Sequence, residues 1–340
     1  MLRLGYFGDG PWAHRAFDLI VRDPRFEVAF VVARSQVPDP ALRERARAHG
    51  LPFLSYPNVN ADAALAALAS YDADLFVSMS FDQIFRAPFL SLPPLGVINC
   101  HAGALPRYRG RNVLNWALIN GEQTFGVSVH YVDEGIDTGD LLKQTHVPIA
   151  PTNTYREVLA EAHHACADTL LGALGDLAEG RAERRPQGSG GFYCGRRRDG
   201  DEWLDWRWSS ARLHNFVRGV APPAPGARSV MRDQEVAILR STLLDAPPYL
   251  GTPGEVVGRS EGGIRVKTGD GVLELNLTAS ASAQGLSTPE RPRFPIGARF
   301  IVDRQAQRLT ELERDVAELR AQLAPDELPH ASNVPEEVLT

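Results

Sequence analysis

Two short stretches carry the residue types best suited to chemistry. In Val97-Ile98-Asn99-Cys100-His101 an apolar run delivers an amide and an imidazole two positions apart, and Ala102-Gly103-Ala104-Leu105-Pro106-Arg107-Tyr108-Arg109-Gly110-Arg111 then turns into a basic loop. On a continuing strand residues i and i+2 share a face, so Asn99 and His101 project to the same side. An imidazole titrates near neutrality, which suits acid–base chemistry. A lone histidine at a strand end is more often structural, so the case for His101 rests on its company. The second stretch is Val132-Asp133-Glu134-Gly135-Ile136-Asp137-Thr138-Gly139-Asp140, a loop of carboxylates and glycines after the β-branched run 126–132. A calcium loop is one reading, although the D-x-D-x-D-G ligand order is missing. An ordinary acidic turn is another. In a third, a carboxylate held beside His101 keeps the imidazole oriented and raises its pKa.

The elements that must position these groups alternate. Apolar runs at 2–7, 26–32, 52–54, 75–79 and 96–100 read as strands, and 12–21, 40–49 and 61–70 read as helices. Strands separated by helices imply parallel βαβ units in a Rossmann-like α/β sheet covered on both faces. Functional residues then gather beyond the carboxyl ends of the strands. A long helix over 151–180 closes a catalytic domain of residues 1–180, and the Arg-, Gly- and Pro-rich stretch that follows reads as a linker, 181–202. Turn-rich strands such as GIRVKTGDG indicate a smaller, mostly β domain over 203–302. Leu309, Leu312, Val316, Leu319 and Leu323 then repeat at heptad spacing in a C-terminal helix, 303–324. That seam is short for an independent coiled coil. The bland reading docks it on its own domain, and the sharper one pairs it with a second copy as a homodimer. A disordered tail is expected over 325–340.

Other features weigh against competing functions. Gly8-Asp9-Gly10-Pro11-Trp12-Ala13 formally fits the dinucleotide pattern G-x-G-x-x-G/A. The second strand ends at Arg34-Ser35 without the acidic residue a ribose diol requires, leaving only a weak NADP reading through Arg34. The adjacent His163 and His164 point to helix faces about 100° apart and do not readily chelate one ion, so no metal is expected. Arg181–Arg185 and Arg196–Arg198 are short charge runs of the kind usually solvated. Cys100, Cys166 and Cys194 form neither a disulfide framework nor a zinc spacing, which fits a reducing, cytoplasmic setting. No stretch of the 340 residues approaches the ~20 apolar positions of a membrane span. A net charge of −6 and a pI near 5.9 supply no overall field for polyanions, which disfavours nucleic acid as a partner.

With both stretches in view, the chain resembles the folate-dependent formyltransferases. The resemblance rests on NCHAGALPRYRGRNVLNWALINGE, FGVSVHYVDEGIDTGDLL, FYCGRRRDGDEWLDW and LHNFVRGVAPPAPGA, and covers about residues 1–300. It implies that Asn99, His101 and Asp137 are catalytic. It places the donor 10-formyltetrahydrofolate against Gln83, Ile84 and Phe85, the side chain of Arg111, and the loop Asp133, Glu134, Gly135 and Ile136. It makes the C-terminal domain OB-like. In the implied chemistry an amine attacks the formyl carbon, His101 and Asn99 stabilise the oxyanion and move protons, and Asp137 orients His101. YRGRNVLNWALINGE, FYCGRRRDG and LHNFVRGVA are most similar to the sugar-nucleotide N-formyltransferases, such as the UDP-4-amino-4-deoxy-arabinose formyltransferase domain. The expected acceptor is accordingly an amino-sugar nucleotide. Methionyl-tRNA formyltransferase, a 10-formyltetrahydrofolate hydrolase and a non-catalytic folate-binding module are the alternatives.

Overall fold

The computed structural model describes residues 1–232, 234–245, 251–282 and 285–323. Its first half runs β1 (Leu2–Gly8), α1 (Gly10–Ile20), β2 (Phe26–Ala33), α2 (Pro40–Ala48), β3 (Phe53–Ser55), α3 (Asp62–Ala69), β4 (Leu75–Met79), α4 (Ala87–Leu90) and β5 (Val97–His101). Proline sits in the first turn of α1 and α2, where its missing N–H costs nothing. These five strands pair in parallel in the order β3-β2-β1-β4-β5. The order reverses between β1 and β4, the place where open α/β sheets leave a crevice.

Beyond β5 the sheet departs from the all-parallel expectation. The chain continues through β6 (Arg109–Gly110), α5 (Val113–Ile119), β7 (Thr124–Tyr131) and β8 (Leu141–Pro148), with β7 antiparallel to β5 and β8 antiparallel to β7. The reason is reach. α5 has only 7 residues, a length of about 10 Å, too short to return the chain to the sheet's far edge. β7 therefore starts beside the end of β5. The next helix, α6 (Tyr155–Ala178), is capped by a reciprocal Thr154–Glu157 box and packs across β7, β8 and α1.

Next, β9 (Tyr193–Cys194) pairs in parallel with β6. After α7 (Ser210–Gly219), the strands β10 (Ala227–Met231), β11 (Gln234–Leu243), β12 (Val256–Arg259), β13 (Ile264–Lys267) and β14 (Val272–Ser282) form an antiparallel sheet in the order β10-β11-β14-β13-β12, with β15 (Gly285–Leu286) on β14. Phe300 bridges Met231 at one edge and Arg299 bridges Glu255 at the other, so one short segment joins both edges into a barrel-like closure. Trp206, Val217, Ile238, Val266, Leu275 and Phe300 fill it.

The last helix, α8 (Arg304–Leu323), leaves Leu309, Leu312, Val316 and Leu319 between 44% and 59% exposed. These four seam positions are not docked on their own domain. The expected tail, 325–340, lies outside the described residues, among which no helix is long and apolar enough to cross a membrane.

Candidate active site

β5 ends at His101, which is buried. Its Nε2 lies 2.7 Å from the carbonyl oxygen of Tyr108. A carbonyl only accepts, so Nε2 donates, and in the neutral ring Nδ1 carries the lone pair. Nδ1 faces Asp137 Oδ2 at 3.7 Å. Burial pushes the His101 pKa below its usual 6.5, although Asp137 and the Tyr108 carbonyl both pull upward. The expectation that the carboxylate raises this pKa is thus met in direction and outweighed in sum, because removing the imidazolium from water costs more than the partner returns. The close approach of Tyr108 requires Gly103: a Cβ there would stand 2.4 Å from the Tyr108 oxygen and 2.5 Å from His101 Nε2.

Asp137 adopts a left-handed backbone, φ +54°, a conformation aspartate tolerates better than most residues. Its Oδ2 accepts the Gly110 N–H at 2.9 Å and its Oδ1 lies 3.5 Å from His130 Nε2. Burial raises its pKa, but His130, His101 and the Gly110 amide together outweigh that and hold it at about 2, so the group is a carboxylate at neutral pH. His130 is the group sequence reasoning missed. The antiparallel register sets Asn99 opposite His130, and Asn99 Nδ2 lies 3.3 Å from His130 Nε2. The opposite nitrogen, Nδ1, donates to the Tyr131 carbonyl at 2.7 Å. Asn99, His101 and Asp137 therefore meet around a fourth polar group. The signal was present in Val127-Ser128-Val129-His130: the valines enter the core, and Ser128 and His130 alternate onto the other face, where the Ser128 hydroxyl donates to Gly103 O at 2.7 Å.

The stretch 181–197 also takes part. Gln187 Nε2 donates to the carbonyls of Asp137 (2.9 Å) and Gly139 (2.7 Å), while its Oε1 accepts from Arg109 Nη2 at 2.7 Å. Arg184 lies over the Tyr131 ring at 3.8 Å. Phe192 packs edge-on to Tyr108, and Trp116 Nε1 donates to Gly195 O at 3.0 Å. These contacts fix the 108–111 loop and the 133–139 loop, the two segments that hold His101 and Asp137. Arg197 is not a solvated charge: its side chain is buried and paired with Glu202 at 3.1 Å.

The expected donor-binding residues flank this centre. Gln83 spends its side chain internally, accepting from Val59 N at 2.9 Å and donating to Tyr56 O at 2.8 Å, and the Ile84 carbonyl accepts from Asn60 Nδ2 at 2.9 Å. Ile84 is exposed, and Phe85 is buried in a ring cluster stacked on Phe89. Asp133 ties its own loop together through Gly135 N and Thr138 Oγ1, with Glu134 and Ile136 exposed beside it. Val132 packs against the hydrophobic cluster that contains Phe85. Arg111 is exposed and makes no ion pair among the described residues. The dinucleotide reading fails on geometry. The Gly10 N–H at the start of α1 is taken by Asp39 Oδ2 at 2.7 Å, and Arg34 is paired with Asp9 at 3.1 Å, so protein carboxylates occupy the places a pyrophosphate and a 2′-phosphate would need. His163 packs edge-on against Trp12.

Comparison with known proteins identifies the family. Residues 7–174 match the formyl transferase family and residues 197–287 match the formyl transferase C-terminal domain. Methionyl-tRNA formyltransferase of Synechococcus sp. (strain JA-2-3B'a(2-13)) is 34% identical over 289 residues, covering 80% of this chain and 89% of its own. That of Syntrophus aciditrophicus (strain SB) is 32% identical over 279 residues, 79% of this chain and 88% of its own. Among solved structures, WlaRD, a sugar 3N-formyl transferase with dTDP and 5-N-formyl-THF, superposes with a TM-score of 0.62 at 19% identity, covering 81% of this chain and 97% of its own. The N-formyltransferase from Helicobacter canadensis, in complex with folinic acid and dTDP-3-aminofucose, does so at 0.62 and 19%, covering 81% and 99%. The chain belongs to the formyl transferase family and carries both of its domains.

Proposed function

We propose that the chain transfers the formyl group of 10-formyltetrahydrofolate to the amine of a nucleotide-linked amino sugar, with Asn99, His101 and Asp137 as the catalytic residues. The observation that carries this reading is the convergence of an amide, a neutral imidazole and an ionised carboxylate at the end of β5. Exposed Ile84 and Ile136 offer apolar surface of the kind that suits the flat ring of a folate. Bound there, the donor supplies an activated formyl carbon.

Each residue then has a task. One Asn99 N–H faces His130, and the other is free to bond the oxygen on which charge develops, a contact worth roughly 10²–10³ in rate. His101 Nδ1 takes the proton that the attacking amine sheds as its C–N bond forms. Asp137, at 3.7 Å, stabilises the resulting imidazolium. That proton passes to the departing nitrogen as the old C–N bond breaks.

The acceptor choice rests on charge. The net charge is −6, and many arginines are neutralised locally: Arg207 by Asp205 and Asp303, Arg299 by Glu255, Arg184 by Asp140. A methionyl-tRNA acceptor is the second reading, favoured by relatives of that name at 34% identity. Folate release from 10-formyltetrahydrofolate, followed by absorbance with amino-sugar nucleotides, initiator Met-tRNA or water, decides between them. Turnover with the sugar nucleotides is expected. Turnover only with the tRNA overturns the acceptor, and turnover in water alone makes the chain a hydrolase.

Two copies pair through α8. In a parallel, in-register coil Arg308 faces the partner's Glu313 and Asp315 faces the partner's Arg320, both attractive, around the exposed seam. Light scattering should report a dimer for the native chain and a monomer for Val316→Asp; a native monomer at micromolar concentration refutes this pairing.

A further inference from the structure

A cleft of about 630 Å³ opens between the two halves of the chain, with Gln123 and Thr152 on one wall and Arg218, Arg240 and Ser241 on the other. None of the catalytic residues lines it. His130 and Thr124 are six residues apart on β7, about 20 Å at roughly 3.4 Å per residue, and the cleft begins past Thr124. Arg218 is only 8% exposed, and its Nε donates to Asn215 Oδ1 at 2.9 Å, but its Nη1 is buried with no partner. No carboxylate pairs with it among the described residues. A buried guanidinium without a counter-ion is costly, and an anion in the cleft removes that cost.

The surroundings add positive charge, which the ionised Glu157 near Arg240 offsets in part. Arg240 is exposed at the rim and also makes no ion pair among the described residues. An adjoining depression of about 430 Å³ shares Arg240 and Thr152 and brings in Arg156. The nearby carboxylates are already engaged. Glu122 accepts from Arg107 at 2.9 Å and from the Tyr108 hydroxyl at 2.7 Å, and Glu157, within electrostatic reach of Arg240, holds the Thr154 amide at 2.7 Å. His214 is tied to Ser241 at 3.0 Å and to the Pro151 carbonyl at 3.4 Å, and burial holds it below its ordinary pKa, so it adds no positive charge of its own to that of the arginines. Ile149, Val217 and Leu239 give the same cleft an apolar floor.

We propose that this cleft is a second ligand site, separate from the catalytic centre, which takes a phosphate-bearing small molecule of nucleotide size. Its phosphates lie between Arg218 and Arg240 and its apolar part lies on Ile149, Val217 and Leu239. The volume falls in the range of small-molecule sites, about 300–1,000 Å³. Because its walls come from both halves of the chain, a bound molecule fastens them together.

Calorimetric titration of the full chain with inorganic pyrophosphate, and separately with UDP, tests this. Binding is expected in the native protein and should weaken by about tenfold or more in Arg240→Ser and in Arg218→Met, the loss of a charge-assisted hydrogen bond, while His101→Ala binds pyrophosphate as the native protein does. Arg240 is exposed, so its variant decides the matter should Arg218→Met fail to fold. Absence of binding at millimolar pyrophosphate, or equal pyrophosphate binding by native protein and Arg240→Ser, overturns the site. Arg240-dependent binding of a short RNA stem without any binding of pyrophosphate or UDP overturns the small-molecule assignment.

Discussion

Replacing Asp137 with asparagine removes a charge and keeps a shape. The new amide oxygen still accepts from Gly110 N, 2.9 Å away in the native site, so the loop should hold. What disappears is the attraction between a carboxylate and an imidazolium whose nearest atoms are 3.7 Å apart. At an effective dielectric of about 20 that attraction is about 4.5 kcal/mol as a ceiling, and partial screening leaves an expected loss of about 10²–10³ in kcat at neutral pH. Donor KM should stay within about threefold, since Asp137 acts on the proton and not on ground-state binding. The pH profile carries a second signature. Burial lowers the His101 pKa while Asp137 and the Tyr108 carbonyl oppose it, so in Asp137→Asn burial is opposed by the Tyr108 carbonyl alone and the acid limb of kcat/KM moves to lower pH. Stability follows the opposite group. Asp137 sits at about 2 against an ordinary 3.8, which at 1.36 kcal/mol per unit is about 2 kcal/mol of native stability. That contribution is complete above the ordinary value and is lost as pH falls through about 2; Asp137→Asn lacks it throughout. Initial rates of folate release across the pH range and urea melts at neutral and acid pH measure both. A variant with native kcat and an unmoved acid limb refutes the assignment of Asp137 to the imidazolium.

Two further variants probe the supports. Gly103→Ala forces a methyl to 2.4 Å from the Tyr108 oxygen, so the loop must shift; a stability loss of about 1–3 kcal/mol is expected in chemical denaturation, with kcat falling more than stability alone explains. A native melt and native rate would mean that the Tyr108 contact does not position His101. Gln187→Ala strips a donor from the Asp137 and Gly139 carbonyls, a cost of about 1–3 kcal/mol. Donor KM should rise several-fold and amide hydrogen exchange across 133–139 should quicken; unchanged exchange contradicts the bracing role of 187.

What could be read in advance was local. Strands such as 75–79 and the helix over 40–49 declare themselves through periodicity and caps, and Asn99 and His101 through a two-residue spacing. His130 depends on β7 returning antiparallel between β5 and β8, a choice imposed by the shortness of α5, and no local pattern encodes that register. The stretch 181–197 looks like a linker because its arginines and glycines lack periodicity. Its structure comes from distant partners instead: Gln187 on the Asp137 loop, Phe192 on Tyr108, and Arg197 on Glu202. Likewise the glycine-rich turn before α1 reads as a phosphate cradle until Asp39, a helix cap elsewhere in the chain, fills it. Long-range contacts decided each case.

The decisive comparison is the transfer of labelled formyl from 10-formyltetrahydrofolate into an acceptor amine by the native chain and by His101→Ala, with donor affinity measured in parallel. Transfer should fall by about 10²–10³ or more in the variant while donor affinity stays within a few-fold. Transfer at the native rate by a folded His101→Ala protein would show that the chemistry does not pass through the end of β5.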